Sequence, residues 1–221
     1  MKLIPVVIFL LVALPAASVH AGLRSPQVPV SGTALQSFFT SQGQSINVSA
    51  GQQDIQRFSL PALSAFEVHV FGSSTSDFGA YNASDPAPPL YQLMPGWTLQ
   101  GWFVDATFRD SPARLLVNLF DDNSVFVSTN SYVGADHADF GFYTESTGGL
   151  FYTQDERNPG GAARVLLFSG TGARAGSTWF ACESSPDAGG DFADAIVLVG
   201  IATAPVPTAR SSWGRVKALY H

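Results

Sequence analysis

Short runs in which apolar and polar residues alternate are the feature that most limits how this chain can fold. Residues 66–71, 115–120 and 125–128 are examples, and glycine, proline, aspartate or serine bounds each one. Alternation with a period of two is typical of strands that bury one face. We count about ten or eleven such runs, the last at 195–201. The chain is therefore predicted to be all-β, an antiparallel, jelly-roll-like β-sandwich. Residues 195–201, which are apolar on both faces, are predicted to form a central strand.

The pattern predicts at most one helix, short and near the N-terminus. Leu35, Phe38 and Phe39 are spaced at i, i+3 and i+4, the spacing of one helix face. Ser31 or Thr33 is a candidate N-terminal cap, and Gly43 is a candidate stop. We expect this helix to pack on the end of a sheet.

Residues 1–21 are predicted to be a secretory signal peptide. Lys2 supplies the positive start, an apolar run follows to Ala17, and Val-His-Ala at 19–21 precedes the expected cut. The apolar run is shorter than the roughly 20 residues that a transmembrane helix needs. The mature chain is expected to be secreted, periplasmic or on the cell surface, with no membrane span once the signal is removed.

Two segments are predicted after the signal. Residues 22–203 form a single β-sandwich domain, and residues 204–221 form a proline-containing linker with a short basic tail. The tail carries Trp213, Val216 and Tyr220 at apolar spacing. It is interpreted either as a C-terminal sorting tag or as a terminus without a role.

The charge balance excludes some partners. Without residues 1–21, which contain Lys2 and no acid, 10 basic side chains face 17 acidic ones, a net charge of −7. Such a chain lacks the basic surface that nucleic acid requires, and it has no basic amphipathic face for membranes. Cations, extracellular polysaccharide, cell-surface components and other proteins stay open as partners.

The sequence contains no recognisable catalytic constellation, so the protein is predicted not to be an enzyme. Cys182, the single cysteine, lies in an apolar run and is expected to be a buried core residue. Histidine is scarce, and no Gly-x-Ser-x-Gly motif occurs. The alternatives left open are a polysaccharide hydrolase, using acids such as Asp121 and Asp122, and a carbohydrate-binding module. Candidate sugar-stacking residues for the latter are Trp97, Trp102 and Tyr91.

A glycine-bearing acidic loop between two apolar runs is the best candidate site. Calcium prefers six to eight oxygen ligands, typically carboxylates, carbonyls and water. The loop therefore predicts a weak calcium site, and solvated turn residues are the alternative. The candidate ligands are Glu183, Asp187, Asp191 and Asp194, with a fifth, Asp155, from an earlier turn.

The chain also contains a local internal repeat. Asp-Phe-Gly-Ala-Tyr at 77–81 precedes Leu-Tyr at 90–91, and Asp-Phe-Gly-Phe-Tyr at 139–143 precedes Phe-Tyr at 151–152. Each copy is predicted to be a hairpin, with the two hairpins at equivalent positions in the two sheets.

Several of these segments together resemble a family of secreted bacterial proteins, those with domain of unknown function 4114. The resemblance rests on residues 139–143, 151–155 and 158–163 and on the acidic loop at 183–194. Glu183, Asp191 and Asp194 match acids of the family pattern, whereas Ser184, Gly189 and Ala193 depart from it. The resemblance implies a secreted protein, and calcium binding through the acidic pattern. Because no catalytic constellation is recognisable, the chain is predicted to act by binding or as a structural surface component. Pro-Val-Pro at 205–207 is similar to the start of a sorting sequence found in such proteins.

Overall fold

The structure, a computed structural model, describes residues 22–71, 75–184 and 190–202. The predicted signal peptide and basic tail lie outside these residues. No helix within the described ranges has the length and apolar character to cross a membrane. The described elements include one α-helix, α1 (Ala34–Ser41), and the strands β1 (Gln52–Gln53), β2 (Ala65–Val70), β3 (Asp77–Asn82), β4 (Leu90–Met94), β5 (Phe103–Asp110), β6 (Ala113–Phe120), β7 (Phe126–Val133), β8 (Phe140–Ser146), β9 (Gly149–Tyr152), β10 (Val165–Ser169), β11 (Ser177–Cys182) and β12 (Ala195–Ala202). Three short 3-10 helices lie at Asp155–Arg157, Pro159–Gly161 and Gly172–Arg174.

Two antiparallel sheets pack face to face, which confirms the predicted all-β sandwich. The larger sheet has eight strands in the order β1-β10-β11-β12-β2-β5-β6-β7, and the smaller has four in the order β4-β3-β8-β9. Alternate residues of most strands enter the shared core. On β2, for example, Phe66, Val68 and Val70 are buried while Glu67 is exposed. Period-two patterning therefore sorts the side chains between the core and the outer face.

β12 is a central strand, as its sequence predicted. It pairs with β11 on one side and with β2 on the other. Val197 and Val199 face the core between the sheets, whereas Ile196 and Leu198 belong to a second apolar cluster on the outer face. A strand covered on both faces requires apolar residues on both, which explains its continuous apolar run.

The helix α1 forms where expected but lies on a face of the large sheet rather than at a sheet end. Thr33 precedes it, and Gly43 follows with a φ of +66°, a conformation that favours glycine. The buried side chains of Leu35 and Phe39 join the outer-face cluster. The strands β10, β11 and β12 are apolar on their outer face as well as on the face between the sheets. The helix packs on this outer face because it shields these apolar side chains from water.

The rest of that outer face, over β2, β5, β6 and β7, carries no helix among the described elements. One row of cross-strand partners crosses it: His69, Phe103, Phe120 and Phe126. The rings of His69 and Phe103 stack with centroids 5.4 Å apart, and those of Phe103 and Phe120 with centroids 5.0 Å apart. Phe126 ends the row and is 55% exposed.

The two copies of the internal repeat are hairpins, but they lie in the same sheet. β3 and β8 are neighbours in the four-stranded sheet, so the prediction that placed one copy in each sheet is wrong. Gly79 lies opposite Tyr143, and Tyr81 lies opposite Gly141. Antiparallel pairing relates the copies by an approximate two-fold axis, and each glycine leaves room for the tyrosine ring of the other copy.

Candidate cation site beside the central strand

Two of the five predicted calcium ligands come together because of the strand register. The last pair between β11 and β12 joins Cys182 to Ala195, so Glu183 and Asp194 leave the sheet side by side. Asp191 lies close enough to raise the pKa of Glu183 by charge repulsion. Asp187 lies outside the described residues.

Glu183 is a buried acid that is 1% exposed. Among the residues that the structure describes, none donates a hydrogen bond of normal geometry to either of its carboxylate oxygens. Burial, followed by the adjacent Asp194 carboxyl, raises the pKa of Glu183 to about 7. The backbone N–H of Phe192 offsets this only in part. An ionised Glu183 at this position is therefore costly unless a proton or a cation neutralises it.

Asp194 is the ionised member of the pair. Its Oδ2 accepts hydrogen bonds from the backbone N–H and the hydroxyl of Ser184, both at 2.8 Å. Burial alone would raise the pKa of Asp194, but the neighbouring Glu183 carboxyl and the hydrogen bonds from Ser184 outweigh burial and hold that pKa below its ordinary value. The pKa values of the two carboxyls therefore shift in opposite directions, that of Glu183 upward and that of Asp194 downward.

The strand-proximal end of the loop is held by local contacts. Asp191 accepts a hydrogen bond from the backbone N–H of Ala193 at 3.0 Å. Phe192 has a left-handed φ of 53°, and its buried side chain packs in the outer-face cluster. The backbone N–H of Ser31 donates to the Gly190 carbonyl at 3.0 Å. These contacts position Asp194 against Glu183.

Asp155, the fifth predicted ligand, has a different role. Its carboxylate forms an ion pair with Arg24 at 2.6 Å, and its backbone N–H donates to the Gln56 side chain. It therefore ties the N-terminal segment to the turn after β9. No three His, Cys, Asp or Glu side chains gather into a ready-made ligand set within the described ranges.

Cys182 is a core residue, as its sequence environment predicted. It is fully buried, and burial, with the nearby Asp194 and Glu183, raises the pKa of its thiol to about 12. The thiol therefore stays protonated at neutral pH, where nucleophilic chemistry needs the thiolate.

His69, His137 and the Asp121–Asp122 pair have structural partners. His69 contacts Glu67 at 3.1 Å, and His137 contacts Asp110 at 3.2 Å. Asp121 accepts hydrogen bonds from the backbone N–H groups of the turn between β6 and β7, at 2.9 and 2.8 Å. Asp121 thus has a turn-forming role.

Of the three candidate sugar-stacking residues, one is exposed. Tyr91 is buried, and Trp102 packs partly buried against the main core. Trp97 is 61% exposed and meets Trp102 edge to face at 5.4 Å. No local sequence pattern indicates the outer aromatic row, because the row forms only when β2, β5, β6 and β7 are paired in register.

No known protein-family model, curated protein or solved structure matches this chain.

Proposed function

We propose that this is an exported, non-enzymatic bacterial protein that acts by binding or as a structural component of the cell surface, with a weak calcium site in residues 183–194. One observation carries the calcium assignment: the buried Glu183 carboxylate lies beside Asp194 and accepts no hydrogen bond of normal geometry from the described residues. The proposed export rests on the signal-like residues 1–21, and the bacterial origin on the family resemblance.

A cation would neutralise the Glu183 carboxylate, which accepts no hydrogen bond of normal geometry from the described residues. An ionised carboxylate withdrawn from water is costly unless it is paired or binds a metal. Calcium takes carboxylate and carbonyl oxygens in flexible geometry, and extracellular sites bind it with a Kd of about 10⁻⁴–10⁻³ M. Glu183 and Asp194 would be the primary ligands, and Asp191 adds negative charge nearby. The role of this calcium is structural, since it would join the ends of two core strands.

Calcium is expected to raise the melting temperature of the mature protein. Because a ligand of the native state stabilises by RT ln(1 + [L]/Kd), about 10 mM calcium with a Kd of about 1 mM adds about 1.4 kcal/mol. For a chain of this size the shift is about 3–5 °C. Differential scanning calorimetry with calcium and with chelator measures it. Equal melting temperatures in the two buffers would reject the site.

Matched variants separate the site from general effects of the salt. Glu183→Gln and Asp194→Asn are expected to abolish the calcium response. Asp155→Asn removes an acid that is paired with Arg24, so it should lower the baseline stability and keep the full calcium response. A response lost in all three variants, or kept in all three, contradicts the assignment.

The pH dependence has a defined sign. A carboxyl whose pKa is raised on folding stabilises the fold while protonated, so the Glu183 contribution is complete below about pH 4.3. Without calcium, it is lost as the pH rises towards the folded pKa of about 7. Calcium displaces the proton, so its stabilisation should be larger at pH 8 than at pH 6. In chelator at pH 8, the melting temperature of Glu183→Gln should be no lower than that of wild type.

Carbohydrate binding is a second candidate function, favoured by the exposed ring of Trp97. A tryptophan that is 61% exposed and braced by a second indole presents a face for stacking on a sugar. Trp97→Ala is expected to weaken retention on an insoluble-polysaccharide column at least five-fold. Phe126→Ala, an exposed aromatic at the end of the outer row, is the control. Equal retention of wild type and both variants counts against this function.

A further inference from the structure

Arg109 and Arg114 lie directly opposite each other on neighbouring strands. They are cross-strand partners of β5 and β6, next to the turn that joins these strands. Phe108 and Leu115 beside them are buried in the core, so the two arginines belong to the outer face. Opposite residues of an antiparallel pair have Cβ atoms about 4.5–5.5 Å apart, and like charges there are destabilising.

Neither guanidinium is neutralised by an acid. In the described part of the chain, Arg109 and Arg114 form no ion pair, whereas Arg24 and Arg57 each pair with an aspartate. Nε of Arg114 is buried without a hydrogen-bond acceptor. Asp110 also lies at this end of the hairpin, but it contacts His137 at 3.2 Å.

The two arginines line an open cleft of about 530 Å³. This volume is within the range of small-ligand sites. Leu63 and Leu116 add apolar surface, and Ser111 adds a hydroxyl. Asp110 also lines the cleft, and its carboxylate contacts His137. Guanidinium groups bind carboxylate, sulfate and phosphate through two parallel hydrogen bonds, and they lose less hydration than an ammonium group does.

We infer that Arg109 and Arg114 form a binding subsite for an oxyanion. The ligand is a carboxylate, sulfate or phosphate group, either as a free small anion or as a substituent of an acidic extracellular polysaccharide. The bound anion offsets the repulsion between the two guanidinium groups. This subsite is independent of the proposed calcium site, since none of its residues belongs to the 183–194 loop.

Sulfate titration of the mature protein tests the inference, with sodium chloride at equal ionic strength as the reference. Wild type should show saturable binding by calorimetry, and Arg109→Gln and Arg114→Gln should each weaken it at least ten-fold. Arg174→Gln, an exposed arginine outside the cleft, should stay within two-fold of wild type. Equal sulfate affinity in wild type, Arg109→Gln and Arg114→Gln overturns the subsite.

Two further measurements complete the test. In sulfate-free buffer, Arg114→Gln should melt at or above the temperature of wild type, because it removes one of two opposed like charges. An unchanged or higher melting temperature shows that Arg114→Gln still folds, so its loss of sulfate binding is not caused by unfolding. A melting temperature below that of wild type contradicts the repulsion proposed between the two arginines. Alginate, dextran sulfate and neutral dextran distinguish the ligand sources. If alginate or dextran sulfate binds more tightly than free sulfate, compared per anionic group, the ligand is an acidic polysaccharide. If the affinities are equal, the ligand is a free anion.

Discussion

Phe142→Ala is expected to lower the free energy of unfolding by about 3–5 kcal/mol, the usual cost of truncating a buried phenylalanine. Phe142 lies on β8 at the centre of the core and is 2% exposed. Five aromatic rings surround it, with centroids 4.9–6.0 Å away: Phe58, Phe66, Phe78, Phe140 and Phe180. These rings come from both sheets, so the resulting cavity would lie between the layers.

Urea denaturation followed by tryptophan fluorescence measures this loss. Phe126→Ala is the matched control, because it removes the same side chain from a position that is 55% exposed. It should cost under about 1 kcal/mol. Equal losses in the two variants would mean that Phe142 is not at the interface between the sheets, and the sandwich arrangement would be wrong.

The elements that the sequence predicted best are those whose patterns are local. The alternation at 66–71 and 115–120 corresponds to β2 and β6, and the apolar run at 195–201 corresponds to β12. The helix also follows from local signals, since Thr33 precedes it and Gly43 follows it. Period and boundary residues depend on neighbours along the chain, which a single sequence displays directly.

What the sequence did not predict depends on which strands become neighbours. The internal repeat indicated two similar hairpins, but only the pairing of Gly79 with Tyr143 shows that they share a sheet. The position of α1 depends on the apolar outer face of β10 to β12, which exists only after those strands pair. Arg109 and Arg114 likewise lie opposite each other only because of the register between β5 and β6.

The acidic loop shows the same division between local and distant contacts. Glu183 and Asp194 were predicted as ligands from composition, and the β11–β12 register brings them together. Asp155 belonged to the same prediction because its residue type and turn are suitable. Its partner, Arg24, is 131 positions away, and no local pattern indicates that ion pair. Residue type therefore identified the candidate ligands. Long-range pairing then brought Glu183 and Asp194 together and placed Asp155 in an ion pair with Arg24.

Gly79→Ala is expected to destabilise the protein by about 3 kcal/mol, at the upper end of the usual cost of overpacking. Gly79 is buried on β3, where a Cβ atom would overlap the Tyr143 ring and lie 2.5 Å from the backbone oxygen of Tyr91. The Tyr143 ring is 3% exposed and has little room to move, and the carbonyl of Tyr91 belongs to the neighbouring strand β4.

Alanine at this position therefore has to separate β3 from β4 or displace Tyr143 from the centre of the four-stranded sheet. Gly22→Ala is the matched control, since nothing lies within 4 Å of its Cβ position. It should leave the urea midpoint unchanged. The corresponding glycine of the second copy, Gly141, has the Tyr81 ring at 2.5 Å, so Gly141→Ala should also be destabilising. The loss should be smaller there, because the obstacle is the far end of a side chain rather than a strand backbone. Equal urea midpoints for Gly79→Ala and Gly22→Ala would show that the two copies of the repeat do not pair as neighbours.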